Sequence, residues 1–413
     1  MNYKKKLFLG LFLGFTLFFL FSQALSLEKK EDTFRALKLF SQIFRLVEEN
    51  YVTEINPKDL ILGAIEGMLT SLDPHSSLMK PEEFKELEIE TKGSFTGIGI
   101  EITIKDDVIT VVAPIEDTPA WKAGIRPGDK ILKIDEKSTK GMKITEAVKL
   151  LRGPKGTKVK ITILRNDKDI SEITLIRDVI PIRSVRAKVL ETGYAYVRIS
   201  QFQEKTREEL VSALKQLEKE TPLKGIILDL RNNPGGLLSS AVEVSDEFLE
   251  NGTIVSIRGK SKANQMEFKA QPNPPDRKHR YPIVILINHG SASAAEIVTG
   301  ALKDHKRALV LGEKSFGKGS VQTVIPIEDN YAVRLTTALY YTPNDVTIHK
   351  QGIQPDIELP SSDLPSKRNG KQDREAVFEN RTSRFFSTPE EDFQVKMALN
   401  ILKNIKNITQ LKY

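Results

Sequence analysis

The chain reads as an α/β multidomain protein: an N-terminal helical segment, a small β-barrel-like domain, an α/β core and a C-terminal helix. Three observations carry this. Apolar residues recur near helical spacing at Phe34, Leu37, Phe40, Phe44, Val47 and Tyr51, and again at Leu60, Ile61, Ala64, Ile65, Met68 and Leu69 behind Pro57. Short segments of two-residue alternation crowd the stretch from 93 to 180. Beyond 181, apolar runs of strand length alternate with amphipathic helical stretches. At 413 residues, with 39% hydrophobic and 28% charged residues, the chain has room for two or three globular domains.

The order of segments follows. Lys4, Lys5 and Lys6 precede a mostly apolar run, Leu7–Phe21, and Ser22-Gln23-Ala24 offers small residues around a cleavage site. Residues 1–24 thus read as a secretory signal peptide. Extended through Leu27, the run reaches about 21 residues and would span a bilayer as an uncleaved anchor. Either form delivers the folded part outside the cytoplasm, to a bacterial periplasm. The apolar stripes of the helical region, 30–92, suit a core or a homo-oligomer contact.

Within 93–180 the strand candidates are Gly97–Ile102, Val108–Ala113, Lys130–Ile134 and Lys158–Leu164, with one helix at Ile144–Leu151. In 181–360 they are Ala195–Ile199, Gly225–Leu230, Thr253–Ile257 and Ile283–Ile287, alternating with helices at Glu204–Glu220, Leu237–Leu249 and Ala294–Lys303. Residues 361–387 are polar and charge-rich, a linker. In 388–413, Phe393, Met397, Ala398, Ile401, Leu402 and Ile405 define one face of a terminal helix that docks on a partner or on the body.

Chemistry concentrates at GSASAAE (Gly290–Glu296) and SFGKGSVQ (Ser315–Gln322). Ser293 falls at a strand-to-helix turn, where backbone amides and the positive helix end favour an oxyanion. Lys318 is the amine base. An unperturbed lysine is neutral in about one molecule in 2,500 at pH 7, so burial must lower its pKa. The apolar stretches Ala308–Leu311 and Val321–Ile327 would enclose it, and Gln322 would orient it toward Ser293. Seen alone, GSAS before a helix is an N-cap pattern, a role open to Ser291.

In these motifs the chain resembles the C-terminal processing peptidases, or tail-specific proteases. There a GSAS-type serine, a lysine 25 residues on and a glutamine four further form the catalytic set, the spacing found here for Ser293, Lys318 and Gln322. Other matching segments are GMLTSLDPHSSL (Gly67–Leu78), FTGIGIEI (Phe95–Ile102), AGIRPGDKILKID (Ala123–Asp135) and DLRNNPGGLL (Asp229–Leu238); Ala295 departs, where many relatives carry serine. The resemblance implies an oxyanion hole built from the Ala294 amide and one from Gly235 or Gly236. It also makes 93–180 a PDZ domain, 181–360 a serine peptidase domain, and the N-terminal region a dimerisation element. Backbone amides of Gly97, Ile98, Gly99 and Ile100 would hold a terminal carboxylate, so that the domain receives an extended peptide as an added strand.

The expectation is an exported serine endopeptidase that takes polypeptides with free C-termini and cuts near that end. The alternative is a PDZ-based peptide-binding scaffold or chaperone with an inactive peptidase domain. No cofactor and no metal are expected: there is no cysteine and no HExxH, and His289, near Ser293 in sequence, is a weak rival base. The net charge of +7 falls to +4 once Lys4, Lys5 and Lys6 leave, too little to argue for nucleic acid. Membrane contact is expected only through an uncleaved leader.

Overall fold

The computed structural model describes residues 31–360 and 389–404, apart from 106, 167 and 273–278. The leader at 1–24, the stretch 361–387 and Ile405 lie outside the described residues. By compactness the chain divides into Met1–Leu78 and Met79–Tyr413.

In the first unit, residues 31–50 form α1, and α2 (Pro57–Thr70) follows. Asn56 caps α2 by accepting the Lys58 N–H at 3.1 Å, and Pro57 occupies a position whose amide needs no helical partner. Phe34, Leu37 and Phe40 lie exposed along α1, as does Met68 on α2. No helix among the described residues is long and apolar enough to cross a membrane.

The second unit opens with α3 (Pro81–Lys92), which ends at Gly93 with φ of 64°, the left-handed C-cap that glycine adopts without strain. Then come β1 (Ser94–Gly97), β2 (Ile100–Lys105), β3 (Val108–Pro114), β4 (Lys130–Ile134), α4 (Ile144–Leu151), β5 (Lys158–Arg165), β6 (Asp169–Ile176) and β7 (Asp178–Pro181). Strands β2 to β6 form one antiparallel sheet in that order, and β1 pairs with β7 across the domain's entry and exit. Alternation sends Ile109, Val111, Ile131, Ile161 and Ile163 into one core with Ile98 and Ala147. β2 is an edge strand, paired on one side to β3. Buried Arg177 donates to Leu150 O (2.8 Å), Leu151 O (3.1 Å) and Lys158 O (2.9 Å), which fixes the end of α4.

The larger core holds β8 (Val185–Glu191), β9 (Tyr194–Ile199), α5 (Thr206–Glu220), β10 (Gly225–Asp229), α6 (Leu238–Asp246), β11 (Thr253–Gly259), β12 (Met266–Lys269), β13 (Ile283–Ile287), α7 (Ala294–Asp304), β14 (Ala308–Gly312), β15 (Ser320–Pro326), β16 (Ala332–Tyr341), β17 (Ile357–Glu358) and α8 (Phe393–Asn404). The main sheet runs β8-β9-β10-β13-β14-β17, antiparallel at β8 and parallel elsewhere. β10, β13 and β14 are buried throughout, as expected of parallel strands covered on both faces. Val197, Ile226, Leu228, Ile283 and Ile285 face α5, α6 and α7, whereas Tyr196, Ile227, Val284, Leu286 and Leu311 face α8.

Two expectations change. Thr253–Ile257 belongs to a second, antiparallel sheet in which β11 pairs with β12 and β16, and β16 with β15. The terminal helix docks on the body with Val395, Ala398 and Leu402 innermost, while Phe393 is 46% exposed. Helical phase is set here by Asp392, which accepts the Val395 N–H at 3.0 Å as an N-cap.

Candidate active site

The turn between β13 and α7 presents Ser293 with φ of 55° and ψ of −114°, a conformation costly for any residue with a Cβ. Its surroundings enforce it. Ser293 itself, not Ser291, is the N-cap residue of α7, and Glu296 in the first turn accepts the Ser293 N–H at 2.8 Å. Ser291 Oγ instead donates to Leu230 O (2.8 Å), tying the turn to the end of β10.

The glycine loop after β10 packs against this turn. A Cβ on Gly235 would lie 2.8 Å from Ser293 Cβ and 3.0 Å from Ala294 N, so only glycine fits there. The two glycines differ in what their amides do. Gly235 N–H is spent on Asn233 Oδ1 (2.9 Å). Among the described residues, the Gly236 and Ala294 N–H groups donate to no protein acceptor. Ala294 follows Ser293 directly, and Gly236 follows Gly235, the glycine packed on Ser293.

Lys318 is half-buried in the loop between β14 and β15. Burial holds its ammonium below the ordinary lysine value, the Arg334 charge adds to this, and the Glu296 carboxylate opposes it. Among the described residues its Nζ has no hydrogen-bond partner, and it is not bonded to Ser293 Oγ. Of the stretch Val321–Ile327, Val321 packs against the main core, whereas Ile325 and Ile327 are 43% and 48% exposed. On either side of Lys318 the loop backbone is closely packed, Gly319 against His349 and Gly317 against Lys350–Gly352. Gln322 makes no hydrogen bond to Lys318 among the described residues; its amide donates to Ser320 Oγ (2.8 Å) and to cross-strand Thr336 Oγ1 (3.4 Å). The His289 ring, 75% exposed, points at Glu313.

In the β domain, Gly97 ends β1 and Ile100 begins β2. The Ile98 side chain is buried in the domain core, and the Ile98 and Gly99 carbonyls accept the Ala120 and Ile115 N–H groups. Gly99 has φ of 79° and abuts Thr118. This turn therefore sits at the head of the unpaired edge of β2.

Three segments match known families: 22–83 the activating protease CtpB N-terminal domain, 110–165 the PDZ domain and 193–359 peptidase family S41. The carboxy-terminal-processing protease of Bartonella bacilliformis is 47% identical over 366 residues, 87% of this chain and 83% of its own. The chain belongs to this family. The carboxy-terminal processing protease CtpA of Bacillus subtilis is 40% identical over 78% of this chain and 68% of its own length. A solved photosystem II D1 C-terminal processing protease is 31% identical over 83% of this chain and 96% of its own, with a TM-score of 0.45. The chain is a serine-type C-terminal processing protease with a PDZ domain, which sets the scaffold alternative aside.

The protease carries two features that sequence reasoning missed. The first is Glu296, fully buried and accepting four hydrogen bonds: Ser315 Oγ (2.5 Å) and Gly317 N (2.6 Å) on Oε1, Ser293 N (2.8 Å) and Lys318 N (2.9 Å) on Oε2. Burial raises its carboxyl above the usual range, against the pull of these donors. One carboxylate thus joins the serine turn to the lysine loop. The S-x-x-E spacing from Ser293 could have flagged it. The second is the buried cluster under the glycine loop. Asp229 accepts from Tyr196 Oη (2.6 Å), Arg198 Nη1 (3.2 Å) and Arg231 Nη2 (2.7 Å). Burial works against its charge, yet the Arg231 and Arg198 guanidiniums hold it down at about 2. Two charges ending the apolar run GIILDLR were the available signal.

Proposed function

We propose that Ser293 and Lys318 form the catalytic dyad of an exported endopeptidase that recognises substrate C-termini through its PDZ domain. Lys318, as neutral amine, takes the Ser293 hydroxyl proton while Oγ bonds to the scissile carbonyl carbon. The oxygen, now negative, is received by the Gly236 and Ala294 amides. Collapse breaks the C–N bond, and the leaving amine takes the proton back from Lys318. Water, deprotonated by the same amine, then hydrolyses the acyl ester and Oγ is reprotonated.

The observation that carries this reading is the Glu296 bridge. It supports a shared frame for two residues 25 apart, with the Ala294 amide next to Ser293 and the Gly236 amide next to the glycine packed on it. Ser293 Oγ and Lys318 Nζ must still close to hydrogen-bond distance, and we assign that closure to substrate arrival. The unpaired edge of β2 supports entry of an extended peptide there, with its carboxylate at Gly97–Ile100. The Lys4–Lys6 and Leu7–Phe21 pattern supports export. An unfolded polypeptide incubated with the wild-type, Ser293→Ala and Lys318→Ala proteins, read by mass spectrometry, tests the dyad. Cleavage by the wild type alone is expected; equal cleavage by either variant removes that residue from the mechanism.

A further inference from the structure

We infer that the C-terminal helix is a working part of the active site. Asp392 and Gln394, acting through Arg231, are positioning residues that hold the loop 229–236 in the shape that offers the Gly236 amide to the substrate oxygen. This rests on the proposed oxyanion role of Gly236.

Arg231 is 2% exposed and faces two ways. Its Nε and Nη2 donate to Asp229 Oδ1 (3.0 Å) and Oδ2 (2.7 Å). Its Nη1 donates to Asp392 Oδ1 (3.2 Å), Asp392 Oδ2 (2.9 Å) and Gln394 Oε1 (2.7 Å), 161 and 163 residues away. Gln394 in turn donates to Leu359 O at 2.6 Å, anchoring the helix start to the body. With the helix docked, this cluster holds Asp229 and Asp392 against Arg198 and Arg231. Without it, Asp229 is the one carboxylate among the described residues left to these two buried guanidiniums, an arrangement that burial penalises strongly.

A shift of Arg231 reaches the serine turn directly. Asn232 N–H donates to Asn288 Oδ1 (2.9 Å), and Asn288 Nδ2 donates back to Asn232 Oδ1 (3.0 Å). Ala292 N–H donates to Asn233 O (2.9 Å), while Asn233 Oδ1 accepts Gly235 N–H. The glycine loop therefore has Arg231 behind it and Ser293 in front of it.

Asp392→Asn in the full chain isolates the charge, because asparagine caps a helix as well as aspartate does. Glu390→Ala is the control: it breaks the Lys188–Glu390 pair (2.8 Å), another link between this segment and the body, without touching Arg231. Expected for Asp392→Asn is a kcat lower by roughly 10- to 100-fold, less than the loss of a whole oxyanion donor, with KM within about twofold. Affinity for a peptide boronic acid, which forms a tetrahedral adduct, falls in parallel, and Glu390→Ala behaves as wild type. A lower unfolding temperature with unchanged kcat and boronate affinity would overturn the inference, as would an equal loss in Glu390→Ala. If Asp392→Asn does not fold, Gln394→Ala keeps the ion pair, removes one acceptor, and must show the same pattern at smaller amplitude. Cleavage persisting in Ser293→Ala would instead defeat the reading underneath.

Discussion

Replacing Glu296 by glutamine changes one atom of the bridge, and the structure says which contact suffers. The new NH₂ group can sit at either oxygen position. At Oε2 it would face the Ser293 and Lys318 amides, two donors with no means of adapting. At Oε1 it faces the Gly317 amide and the Ser315 hydroxyl, and the hydroxyl can turn and accept. The second orientation wins, and one buried amide is orphaned, costing about 1–3 kcal/mol. Chemical denaturation should show that loss for Glu296→Gln and a several-fold larger one for Glu296→Ala, which strands four donors. A second signature has the opposite sense. Glu296 works to raise the Lys318 pKa, so its neutralisation lowers it, and the acid limb of the kcat/KM profile should move to lower pH. Unchanged stability in the alanine variant, or an acid limb that stays fixed in the glutamine variant, would refute the reasoning.

Four other outcomes are expected. Arg334→Gln removes a like charge from Lys318, so the lysine pKa rises and the acid limb moves to higher pH, the reverse of Glu296→Gln. The same depressed pKa leaves the unfolded chain holding more protons between the folded value and the ordinary 10.5, so this residue's contribution to stability grows as pH rises through that window. Gly235→Ala should cost at least about tenfold in kcat, since its Cβ would press on Ser293 and φ of 106° strains any substituent, with denaturation showing a loss of about 1–3 kcal/mol. Peptides with an amidated C-terminus should show a raised KM and a nearly unchanged kcat for internal bonds, if the turn at Gly97–Ile100 captures carboxylate; equal KM for acid and amide would count against it.

Local patterning made much of this molecule legible. Ile283–Ile287 followed by a small-residue turn and an amphipathic run is a strand–turn–helix in any context, and α7 begins at Ala294 as that pattern requires. The sheet alternation of Ile226, Ile227 and Leu228 was equally visible, although which helix covered each face was not. Local pattern does not say which neighbours Gln322 meets, because a strand's cross-strand register is set by its partner. On β15, with a bulge between Val321 and Gln322, the amide meets its cross-strand neighbour Thr336. The Asp229–Arg231–Asp392 arrangement escaped because its partners come from opposite ends of the core, and no local period encodes such a meeting.

Consider this during synthesis, when the chain emerges from its N-terminus. The serine turn and the lysine loop can both be in place while Asp392 and Gln394 are still in the ribosome. Until those two side chains reach Arg231, a hydrolase made beside many unfolded neighbours is left without its final brace. On the inference above, full competence waits for Asp392 and Gln394, and a translation product that stops short of them would be a slower enzyme.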